Sequence, residues 1–133
     1  MDPAPDAQSR NVAVAVSVAA GFCVWAGFSL IGGGREAWDT GAWWWLGLPL
    51  LAVASGLAGY LAPVRVWRWP LFIAGGQLLA MIAIAAISQS GAEFGLLPLA
   101  LVFVMLPLVI ILTVPALIGG VVARGGWDRG LLV

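Results

Sequence analysis

Gln77, Ser17, Ser55, Ser88 and Thr113 lie within or at the ends of long apolar runs, and none of them carries a charge. Their chemistry is limited to giving and taking hydrogen bonds, either with a neighbouring helix or with an uncharged solute. Gln77 directly follows Gly75 and Gly76, where the backbone bears no side chain. Ser88 comes eleven residues later and returns to nearly the same helical face, which gives a stripe of Gln77, Met81, Ile84 and Ser88. Such a stripe can wall a narrow polar path or touch a ligand. The plainer use of Gln77 is a bond across to the next helix, worth about 0.6 kcal/mol on average.

A second set, Arg35, Glu36, Asp39 and Glu93, falls between the apolar runs and could form an outer polar cluster, although such charges are more often solvated loop residues. The chain has no histidine and one cysteine, Cys23. These counts exclude a histidine general base, histidine-ligated metal or haem, and an internal disulfide. No acidic or basic side chain sits well inside a run, which also excludes the charge relays common in small membrane proteins. The expectation is a non-enzymatic protein with no catalytic residues, cofactor or metal.

The elements that must position these side chains follow from composition. Of 133 residues, 62% are hydrophobic and 9% charged, and the mean hydropathy is +1.05. A soluble domain carries about 25% charged residues, so the surroundings implied are lipid. Four runs, 11–31, 42–62, 70–87 and 95–123, approach or exceed the about 20 residues that cross a bilayer. The predicted fold is all-α, a polytopic four-helix bundle with short loops. A polar arm (1–10) precedes the single transmembrane domain (11–123), and a short tail (124–133) follows it. The first run is longer than a signal peptide's apolar stretch and is expected to remain as a helix.

The fourth run is unusual. At about 1.5 Å per residue it would be about 43 Å long if straight, and Pro98, Pro107 and Pro115 interrupt it. A tilted, kinked span beginning at Pro98 is expected. The other reading is a break around Pro107 like those that line transporter sites, with Pro107 and Pro115 as the candidate positions.

Five of the six arginines (Arg10, Arg65, Arg68, Arg124, Arg129) fall on one side of this topology and Arg35 on the other. The positive-inside rule then places both termini in the cytoplasm, with the inner (plasma) membrane of a bacterium as the expected location. Trp38, Trp43–Trp45, Trp67, Trp69 and Trp127 mark the borders, and at least one ring of the Trp43-Trp44-Trp45 run should face protein.

Small residues recur at four-residue spacing in every run: Ala13, Ser17 and Gly21; Ala52 with Gly56 and Ser55 with Gly59; Gly76 with Ala80, and Ala83; Ala116 with Gly120, and Thr113. They suit either packing inside one bundle or a homodimer. R-x-x-W-D-x-G occurs twice, from Arg35 and from Arg124, on opposite sides of the predicted membrane, and chance is the simpler account. Two functions fit. The first is a channel or carrier-type homo-oligomer for an uncharged or weakly polar solute or ion. The second is an accessory subunit packed against a larger membrane complex. The expected partners are the lipid bilayer, further copies of the chain or other membrane subunits, and no nucleic acid.

Overall fold

A computed structural model describes residues 7–33, 37–88 and 101–125. Helix α1 spans Ala7–Ile31, α2 Leu48–Leu61, α3 Arg68–Ser88 and α4 Leu106–Ala123. A 3-10 turn, Ala37–Asp39, precedes α2, and π-helical turns lead into α2 (Trp43–Gly47) and α4 (Leu101–Met105). Counted with the π turns that lead into α2 (Trp43–Leu61) and α4 (Val102–Ala123), all four helices are long and apolar enough to cross a membrane, and the described residues contain no strand. The chain is thus an all-helical integral membrane protein. Hydrocarbon offers backbone groups no partner, and the helix satisfies them within one segment.

Local signals set the ends. Gly33 and Gly125 adopt left-handed backbone just beyond α1 and α4, at φ 68° and 64°, a conformation glycine takes without a Cβ clash. Pro49 and Pro107 sit in the first turns of α2 and α4, where the missing amide matters least. α1 opens at Ala7, so residues 7–10 of the polar arm, Arg10 included, are helical. α3 opens at Arg68, which makes Pro70 its third residue and not its first. Residues 95–100 of the fourth run lie outside the described residues. From Leu101 the helix continues to Ala123 through both Pro107 and Pro115, so neither candidate position breaks it. Instead, the hydrogen-bonding register changes from π to α just before Pro107, a wider turn that absorbs one residue without ending the helix.

The dominant pairings are α1 with α3 and α2 with α4, and the two pairs meet more lightly along α1–α2 and α3–α4. Each dominant pair runs parallel, joining helices that are not consecutive in the chain. Glycine makes both crossings possible. A Cβ on Gly21 would fall on the Ile73 carbonyl oxygen, with the carbonyl carbon at 2.9 Å. One on Gly76 would meet the Val18 carbonyl, with the Phe22 nitrogen at 3.0 Å. In the second pair, Gly59 lies on the Ala116 carbonyl and Gly119 on that of Gly56. Backbones this close gain van der Waals contact that lipid cannot match. The small-residue seams are therefore used inside one chain, with Ala13, Ser17, Gly21, Ser55, Gly59, Ala116 and Gly120 all buried.

Ser55 Oγ reinforces the second pair by donating to the Leu112 carbonyl at 2.7 Å in a buried position. Ser55→Ala should cost about 0.6 kcal/mol and at most about 1.7 kcal/mol, read as a small drop in the melting midpoint of the purified protein in mild detergent. An unchanged midpoint would show that the bond contributes nothing.

Aromatic rings close the end of the bundle opposite the chain termini. Trp25 meets Trp38 at 4.8 Å and Trp43 at 5.4 Å, both edge-on, and Phe28 meets Trp43 at 5.9 Å. Gly47 leaves room for this cluster, because a Cβ there would strike the Trp43 ring at 2.8 Å. Trp43 is 1% exposed, Trp44 55% and Trp45 87%. The tryptophan run thus sends one ring into the protein and two outward.

Candidate functional site

Gln77 is fully buried among apolar residues. Ile73 and Ala80, one turn to either side on the same face of α3, are buried in the core that also holds Leu51, Leu108 and Leu112. Gly76 accounts for this position. Its bare Cα lets α1 close onto α3, and the next side chain is carried into the interior. Neither Nε2 nor Oε1 of Gln77 has a hydrogen-bond partner, and neither does the buried Ser17 Oγ. Ser17 precedes Val18, whose carbonyl faces Gly76, and Gln77 follows Gly76. The unpaired groups therefore lie on adjoining turns across one helix crossing.

These two residues differ from the other polar side chains of the spans. Ser55 is bonded across to α4, as above. Thr113 Oγ1 donates to the Val109 carbonyl of its own helix at 2.7 Å. Both are satisfied and structural. The Ser88 side chain lies outside the described residues, and the stripe it would complete is described only at Gln77 (buried) and at Met81 and Ile84 (half-buried). A buried polar group without a partner costs about 1–3 kcal/mol, and such groups generally have a reason to exist. Here three unpaired atoms, including at least one donor and one acceptor from the amide, face an apolar interior. The chemistry open to these atoms is hydrogen bonding to an uncharged partner.

Of the outer cluster, Arg35, Glu36 and Glu93 lie outside the described residues. Asp39 ends the 3-10 turn and is exposed. The R-x-x-W-D-x-G copy from Arg124 also falls mostly outside. In the first copy, Trp38 packs on Trp25, and its carbonyl accepts a bond from Trp44 Nε1 at 3.2 Å. Its role there is packing. Cys23 is exposed on α1.

The cavities among the described residues include two on the flanks of the bundle. An apolar groove of about 260 Å³ lies between the π turns, walled by Trp43, Trp44, Leu48, Phe103 and Pro107 among others. The second, about 270 Å³, lies at the end carrying the chain termini and is lined by Arg10, Val64, Arg65, Arg68 and Trp69. Sequence reasoning used those arginines only to orient the chain and treated Ser17 mainly as a small packing residue. The four-residue spacing of Ser17 and Gly21 marks the buried face, but it does not reveal that the hydroxyl lacks a partner. No protein-family model, curated protein or solved structure matches this chain.

Proposed function

We propose that the chain is a non-enzymatic carrier for a small, uncharged, hydrogen-bonding solute, with Gln77 and Ser17 meeting the solute inside the membrane. The observation that carries this reading is the fully buried Gln77 amide without a partner, together with the equally unpartnered, buried Ser17 hydroxyl on the helix packed against α3. The spans hold no acidic or basic side chain away from their ends, so a charged solute would find no counter-charge in a medium where that is costly. The packing offers a way to move. The α1–α3 and α2–α4 pairs are each locked by glycine, and the lighter α1–α2 and α3–α4 contacts form a seam along which one pair can rock on the other. The small-residue seams are engaged within one chain, so this mechanism does not require a second copy.

An accessory subunit is the second reading. It is favoured by the closeness of the two glycine crossings and by the apolar groove open between the π turns. Uptake by proteoliposomes separates the two. The carrier reading expects urea or glycerol to equilibrate at least tenfold faster than in empty vesicles, while sodium and chloride stay excluded. Neutral-solute rates no faster than those of empty vesicles, with co-purification of a fixed set of other membrane subunits in mild detergent, would replace it with the accessory reading.

A further inference from the structure

We infer that the end of the bundle carrying both chain termini holds a phosphate-binding site for the headgroup of an anionic phospholipid. Three arginines from three separate places line its cavity: Arg10 from the first turn of α1, Arg65 from the α2–α3 loop and Arg68 from the start of α3. The cavity, about 270 Å³, is far larger than the about 10–15 Å³ that one water requires. Like charges gathered around one space repel unless an anion sits among them. Among the described residues the only carboxylate belongs to Asp39, at the opposite end of the bundle. Among the described residues no hydrogen bond or ion pair engages the guanidinium groups of Arg10 or Arg65, and Arg68 contacts the Phe72 ring at 5.9 Å.

The loop is built to hold these groups. Arg65 has φ 54°, left-handed backbone that a side-chain-bearing residue adopts at a cost. Its carbonyl accepts the Arg68 amide at 3.0 Å, and the Trp69 amide bonds to Val66 at 3.2 Å. Pro70 has no amide. The first turn of α3 therefore offers few free backbone donors, and the arginines are the anion's partners. Arg124 Nη2 donates to the Pro63 carbonyl and so ties the end of α4 to the same loop. Trp69 walls the cavity with its indole nitrogen bonded to the Ala62 carbonyl at 3.0 Å, and Trp67 is exposed beside it. Tryptophans at this depth mark the headgroup layer. A basic pocket there fits a lipid phosphate, with acyl chains running down the apolar sides of the bundle.

The test uses the full chain, purified in mild nonionic detergent, with short-chain phosphatidylglycerol, short-chain phosphatidylcholine and inorganic phosphate as probes. Binding is read by native mass spectrometry and melting midpoint. Phosphatidylglycerol is expected to bind and raise the midpoint, and phosphatidylcholine to do neither. Each arginine near a lipid surface accounts for about fivefold in affinity, so the Arg65→Gln, Arg68→Gln double variant should bind phosphatidylglycerol about thirtyfold more weakly. If that variant does not fold, Arg65→Gln alone, in the loop, is expected to lose about fivefold. Equal binding of phosphatidylcholine, or undiminished phosphatidylglycerol binding by the variants, would overturn the site. Inorganic phosphate matching the lipid at equal concentration would overturn the lipid as its source.

Discussion

Gly76→Ala is expected to separate α1 from α3 and remove most of the monodisperse folded protein recovered in mild detergent, while Gly75→Ala, one residue earlier, leaves it intact. The contrast follows from the two positions. At Gly75 a new Cβ meets nothing within 4 Å, whereas at Gly76 it lands on the Val18 carbonyl with the Phe22 nitrogen at 3.0 Å. These neighbours are backbone atoms of a helix, so the clash is relieved only by moving α1 as a whole. Overpacking of this kind costs about 1–3 kcal/mol and occasionally more, and here it also opens the contact that joins the pair. The change at the half-buried but unobstructed Gly75 works the other way, since alanine is favoured over glycine within a helix by about 0.5–1 kcal/mol. Size-exclusion profiles and melting midpoints of the two variants check this directly. Indistinguishable behaviour would mean that the crossing is looser than described.

Gln77→Leu is expected to stabilise the protein and, on the proposed carrier function, to abolish neutral-solute uptake as well. Leucine removes two unpaired polar atoms from the core beside Ile73 and Ala80. Replacing an unsatisfied group with an apolar one of similar size recovers about 1–3 kcal/mol, so the melting midpoint should rise. If Gln77 meets the solute, neutral-solute uptake should fall at least tenfold in the same preparation. A residue that merely braced two helices would give the opposite stability result, because its removal would break a bond. Opposed changes in stability and activity are common where a site must hold polar groups open for a guest. A rise in midpoint with uptake unchanged would remove Gln77 from the transport reading. A fall in midpoint would show that the amide has a partner in the folded protein.

The apolar runs and their helices were legible because hydrocarbon imposes length and composition on any segment that crosses it. The inward turn of one ring among Trp43, Trp44 and Trp45 followed from helical geometry alone. The choice of pairs did not. Small residues mark a packing face on every helix, and only the three-dimensional arrangement matches Gly21 with Gly76 and Gly59 with Ala116. The same matching decides what faces Gln77 and brings Arg10 beside Arg65 and Arg68. The π turns were hidden as well. Their wider register depends on how Trp43 seats against Trp25 and Phe28, and on the approach to Pro107. Ser55 and Gln77 look alike as polar residues in apolar runs, yet one has the Leu112 carbonyl opposite it and the other has nothing.

The pairing of α1 with α3 and of α2 with α4 governs the order in which the protein can be completed during synthesis. A chain that emerges from its amino end presents α1 and α2 first, and neither glycine crossing exists between them. Until α3 arrives, Gly21 faces lipid or the insertion machinery, and Gly56 and Gly59 wait longer, for α4. The nascent protein therefore spends its early life as a hairpin without its tightest contacts. The first lock closes only with α3 and the second only with α4.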